Sequence, residues 1–129
     1  MKKSIQLHPR RIFNSGANGA FLPLTIPESL LSVIGGANTV IVELTVYASS
    51  GATARLKAQV WQGTKSDIRP SAPNGGVQIG SDTIIASGLT NIIISAPFHR
   101  LVEVVVGGSS SDSGISWIEA EVNLTLSFD

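Results

Sequence analysis

The sequence predicts an all-β fold, an antiparallel β-sandwich best matched by a jelly roll of about eight strands. Two observations carry this. Apolar and polar residues alternate with period two along most of the chain, the signature of half-buried strands. Glycine-bearing breaks then recur at short intervals: Gly35-Gly36, Ser50-Gly51, Asn74-Gly75-Gly76, Gly88 and Gly107-Gly108. Regular punctuation of this kind belongs to sandwiches and barrels. With 129 residues the chain is expected to form one domain, residues 1–129, large enough for a core without staples.

The opening "MKKSIQLHPRRIF" carries Lys2, Lys3, Arg10 and Arg11, with no acid before Glu28. Residues 1–13 are read as a basic N-terminal arm, with a strand near Ser4–His8. A second strand is expected at Ala20–Leu24. "IPESLLSVIGG" is the one candidate helix, with Pro27 at its first position and Gly35 ending it. "TVIVELTVYA" turns Val40, Val42, Leu44 and Val46 to one face. "TARLKAQVWQG" turns Ala54, Leu56, Ala58 and Val60 inward, leaving Arg55, Lys57, Gln59 and Trp61 outward. "KSDIRPSAPNGG" reads as a long loop stiffened by Pro70 and Pro73. Strands follow at Asp82–Ala86, Asn91–Ala96 and His99–Val106, then the loop "GGSSSDSG". The last run, "WIEAEVNLTLSFD", is the most regular. Ile118, Ala120, Val122, Leu124, Leu126 and Phe128 share one face. Trp117, Glu119, Glu121, Asn123, Thr125 and Ser127 share the other. Such a strand belongs near a sheet centre.

Two segments break the alternation. "NIIISA" and "RLVEVVVG" are apolar on both faces, which requires both faces to be covered. Either long loops or a neighbouring subunit would do so.

Composition narrows function. Nine basic and nine acidic residues cancel, which disfavours nucleic acid or a membrane surface as partner of the whole domain. Only 14% of residues are charged, against roughly 25% in a typical soluble domain. Such a surface suits a protein packed against neighbours. The first residues lack the apolar run of a signal peptide. No stretch reaches the roughly 20 apolar residues of a membrane helix.

A search for chemistry returns little. Cysteine is absent, and the only histidines are His8 and His99, both read as strand-end residues. No G-x-S-x-G elbow, phosphate loop or dinucleotide fingerprint occurs. The Asp67 and Asp112 loops offer one carboxylate each, too few for calcium. No metal and no cofactor are expected. Glu119 and Glu121, two apart on one strand face, lie within reach of the carboxyl spacing of about 5–5.5 Å used by retaining glycosidases. "WIEAEVN" is similar to the strand motif E-x-D-x-(x)-E of laminarinase-like jelly-roll glycosidases. It departs at Glu121 and Asn123, which replace two of the three acids. The pair therefore reads as a solvated strand face meeting Arg55 and Lys57 on neighbouring strands, or meeting a neighbouring subunit. The outward aromatics Tyr47, Trp61 and Trp117, with Glu119 and Glu121, make a candidate protein interface or glycan-stacking face.

A small, cysteine-free, Ser/Thr/Gly-rich sandwich preceded by "LHPRRIF" resembles the accessory structural proteins of tailed-phage particles. These include capsid decoration (cement) proteins and small head or tail modules. The resemblance implies a non-enzymatic virion protein, a homo-oligomer with a trimer favoured, bound to a larger protein assembly such as a capsid. Lys2, Lys3, Arg10 and Arg11 are the expected assembly-binding arm. The alternative function is a carbohydrate-binding module using the exposed Trp and Tyr residues.

Overall fold

The computed structural model describes residues 1–24, 26–65, 67–95 and 102–129. His99 and the predicted strand ends at Ala96 and His99–Leu101 lie outside the described residues. The described residues form nine strands: β1 (Lys2–Gly16), β2 (Leu22–Leu24), β3 (Thr39–Ser49), β4 (Arg55–Gly63), β5 (Gly76–Gln78), β6 (Thr83–Ile85), β7 (Gly88–Ser95), β8 (Val102–Ser109) and β9 (Ser116–Ser127). One short helix, α1 (Glu28–Gly35), links β2 to β3. Pro27 is its cap rather than its first turn, and the helix ends on Gly35 as expected.

The strands fall into two layers. One runs β1-β9-β3-β7, and the other β2-β8-β4, with β5 and β6 sharing the far edge of β4. That gives eight strand positions, the number and layering of a jelly roll. The last two residues of β1, Ser15 and Gly16, also pair in parallel with Gly108 and Ser109 of β8 on their other side. This junction joins the layers into one curled sheet.

Alternation places the core as predicted. Val40, Val42 and Leu44 of β3 are fully buried, and Val46 nearly so. They meet Leu56, Ala58 and Val60 of β4 and Ile118 through Leu126 of β9 in one cluster. β9 pairs with β1 on one side and β3 on the other, the central position its regularity demanded.

Four local readings change. First, the N-terminal segment is strand, not only at Ser4–His8 but from Lys2 to Gly16, in register with β9 from Lys2↔Ser127 to Ser15↔Ser116. Second, β5 begins inside what reads as loop. Gly76 is pressed against Gln62, where a Cβ would lie 2.3 Å from the carbonyl oxygen. Third, Gly107-Gly108 is no break. Both residues lie inside β8, where two other backbones converge on them. A Cβ on Gly107 would sit 2.2 Å from the Leu22 oxygen, and one on Gly108 2.6 Å from that of Asn14. Fourth, His8 is no strand-end residue. It lies mid-strand between two register shifts, buried, edge-on to the Phe13 ring at 5.3 Å.

The doubly apolar strands part company. β8 is buried on both faces by its own chain: α1 packs against it, Leu22 and Pro23 cover Gly107, and the Arg69–Ser71 loop closes over Glu103. β7 is not covered. Ile94 is buried, but Leu89 and Ile93 are 60% and 68% exposed.

His8 also makes a prediction. Burial, and secondarily the Arg11 charge, lower its pKa below the ordinary 6.5, and its Nε2 has no hydrogen-bond partner among the described residues. The unfolded chain therefore binds a proton first as pH falls. His8's contribution to stability is complete above about pH 6.5 and declines as pH drops from there through its lowered folded value. Melting temperature should fall between pH 7.5 and 5, and His8→Gln should flatten that slope.

Candidate functional site

The outer face of β1, β9 and β3 gathers most of the residues singled out by sequence. Period two puts Trp117, Glu119, Glu121 and Asn123 on that face of β9. Period two turns Tyr47 of β3 to the same face, at the register shift between Val46 and Ala48. Arg10 of β1 stands on it too, within the shift between His8 and Arg11. Side chains from both flanking strands thus meet on one patch.

Arg10 is its hinge. Its Nε lies 3.3 Å from the Glu119 carboxylate, and its guanidinium carbon lies 3.9 Å above the Tyr47 ring centre. The hydrogen bond to Glu119 raises the Arg10 pKa, so the cation is fixed. Glu121 accepts from Asn123 at 3.1 Å, and more loosely from Gln6 and the Tyr47 hydroxyl at 3.5 Å each. Both carboxylates are thus engaged by ordinary sheet-face partners. The expected partners Arg55 and Lys57 are not among them. Both stand on β4, in the other layer. Arg55 donates to the Ala52 and Ala54 carbonyls, while Lys57 pairs with Asp82 at 3.1 Å and lies over Phe21. Period two fixes which face a charge takes, but not which strand lies beside it.

The other predicted residues disperse. Trp61 is on β4, opposite Glu103 and Gln78, and its indole N–H donates to Gln59. Lys2 and Lys3 start β1 opposite Ser127 and Leu126, both exposed. Arg11 is exposed, 5.9 Å from the Phe13 ring. Of the four basic residues, Arg10 therefore turns to the chain's own Glu119. Lys2, Lys3 and Arg11 have no acidic partner among the described residues.

Sequence reasoning missed two polar clusters. Glu103, 2% exposed on β8, is met by Arg69 and by both the backbone N–H and the hydroxyl of Ser71, the latter at 2.6 Å. Arg69 also donates to the Ile26 carbonyl at 3.0 Å, tying the long loop to the helix entry. The available signal was a lone acid inside "RLVEVVVG", since a carboxylate in an apolar strand needs a cation. On the opposite edge Asp82 accepts from Gln78, Gln59 and Lys57, which hold its carboxyl below the usual range, the Gln78 bond contributing most. No cluster of three metal-ligating side chains occurs among the described residues. Nor is any described helix long and apolar enough to cross a membrane. A pocket of about 230 Å³ between β1 and β2, lined by Arg11 to Asn14 and Leu22 to Leu24, does not border Glu119 or Glu121.

No protein-family model matches the chain, and no curated protein matches it. Solved structures do. A chain in the structure of infectious bursal disease virus, Gx strain, superposes on 97% of this chain with a TM-score of 0.51 and 18% identity. The VP2 subviral particle of infectious bursal disease virus also covers 97%, at 19% identity and a TM-score of 0.49. This chain spans about a third of those chains, 31% and 32%. At these identities the likeness is one of fold.

Proposed function

We propose that the chain is a non-enzymatic structural protein of a virion, of the decoration, cement or head–tail accessory kind, that self-associates and binds a larger assembly. The observation that supports it most is the near full-length fit to a chain of a virus structure. A jelly roll alone does not choose between capsid and lectin roles, so the surface has to decide. The low charge and the uncovered apolar strand favour protein contact. The carboxylates of Glu119 and Glu121 are held by Arg10, Asn123, Gln6 and Tyr47.

The carbohydrate reading loses ground on one observation. The Tyr47 ring, which would have to lie open for a sugar, carries the Arg10 guanidinium at 3.9 Å. Affinity electrophoresis through gels of defined polysaccharides separates the two readings. Unchanged mobility is expected. Retardation that disappears on Trp117→Ala would reinstate the lectin reading.

Within the structural reading, Lys2, Lys3 and Arg11 are the cations offered to an acidic neighbour, with the trimer as the expected form of the assembly. The segment is an integral strand, so deleting it would remove the partner of β9 and unfold the layer. Charge reversal is the cleaner test. Lys2→Glu/Lys3→Glu should weaken association and remove part of its salt sensitivity, read by light scattering at two ionic strengths. Association of unchanged strength would remove the arm from the account.

A further inference from the structure

Every open sheet offers edges, and an unpaired edge is a template for another strand. Among the described residues there are four, and three are guarded. β1 carries Lys2, Lys3, Pro9 and two register shifts. β2 is three residues long and contains Pro23. The far edge of β4 is split between β5 and β6, also three residues each. Short strands, prolines, lysines and bulges are the devices that discourage edge pairing.

β7 has none of them. It ends its layer, runs eight residues as "GLTNIIIS", and pairs with β3 without a register shift from Val46↔Gly88 to Thr39↔Ser95. It carries no charge and no proline. Its outward residues are Leu89, Asn91 and Ile93, all exposed, flanked on β3 by Thr45, Glu43 and Ile41.

The order of these residues selects the partner. Antiparallel pairing about a two-fold axis places residue i opposite j and j opposite i. Centred on Asn91, it sets Leu89 of each copy against Ile93 of the other and the two Asn91 amides face to face. An amide both donates and accepts, so this central pair satisfies itself. On the other face Thr90 meets Ile92, both β-branched. The segment is complementary to its own reverse, with no like charges opposed.

We propose that the β7 edge is a two-fold interface at which a second copy of this chain adds its own β7, continuing the β1-β9-β3-β7 layer across the axis. The proposal rests on the self-association reading above and specifies its surface. It is a two-fold contact, so a trimer requires a different surface and would be linked to its neighbours through β7.

The chain has no cysteine, so Asn91→Cys carries a single thiol. Directly opposed residues in an antiparallel pair have Cα atoms about 4.5–5.5 Å apart, within disulfide range. In a glutathione redox buffer at tens of micromolar protein, Asn91→Cys should form a covalent dimer. Ser4→Cys, on the guarded β1, should not. Register is read by a charge pair. L89K/I93K opposes lysines twice and should raise the dissociation constant about tenfold or more. L89K/I93E opposes Lys to Glu and should associate close to wild type. If the chain associates but Asn91→Cys does not cross-link and both double variants behave like wild type, the β7 interface is wrong while self-association stands. If the wild-type chain is a monomer at these concentrations, both fall.

Discussion

Arg69→Ala should cost about 3–5 kcal/mol of folding stability, the range for removing one partner of a buried ion pair. The reason is the carboxylate left behind. Glu103 sits on a strand buried on both faces, between Val102 and Val104, with 2% of its surface exposed. Arg69 is its only cation among the described residues, and Ser71 supplies the remaining bonds. Without Arg69 the buried carboxylate is left uncompensated, and bringing water to it opens the loop that covers β8. Urea denaturation should show the loss. Glu103→Gln/Arg69→Met should recover much of it, because replacing a buried pair by neutral or apolar groups of similar size is often tolerated. A loss below 1 kcal/mol for Arg69→Ala would mean that the loop does not seal β8.

Gly107→Ala should be nearly as severe, about 3 kcal/mol, the upper end for overpacking. Its Cβ would lie 2.2 Å from a backbone oxygen of Leu22 and 2.6 Å from the Cα of Pro23. Neither can swing aside as a side chain would. β2 must lift from β8, breaking the Leu22↔Gly108 and Leu24↔Val106 pairs. Gly19→Ala provides a control at the other extreme, since nothing lies within 4 Å of its Cβ. Its cost arises only from the positive φ of 82°. Hydrogen exchange should show β2 deprotected in Gly107→Ala, with β9 affected least.

These two sites also show what the sequence made legible. Strands half-buried in one layer announce themselves, because each residue's environment alternates with its neighbour's. β3, β4 and β9 follow that rule, and their inward residues form the core. Glu103 and Gly107 do not, because β8 is enclosed on both faces and alternation vanishes there. A glycine that reads as a turn is then a crossing point of two backbones. β5 is three residues pinned by contact with Gln62, too short for any period to register. The carboxylate pair lies on the outer face of β9, but Glu119 meets Arg10 rather than Arg55 or Lys57. Arg10 reaches Glu119 because β1 pairs with β9, and pairing between distant segments leaves no local trace. The basic segment held two roles that its composition could not separate: Arg10 serves its own sheet, while Lys2, Lys3 and Arg11 remain turned outward.

The patch around Arg10 bears on function more than on stability. Glu119→Gln removes an exposed ion pair, and such pairs contribute little. Its melting temperature should stay close to wild type, while the Tyr47 ring loses the cation held over it. Any change in particle binding by this variant would then report contact rather than unfolding.

Sedimentation velocity of the 129-residue chain, over a concentration series up to tens of micromolar, measures self-association itself. A concentration-dependent shift from the 13.5 kDa monomer to a defined oligomer is expected. A single 13.5 kDa species throughout would contradict it.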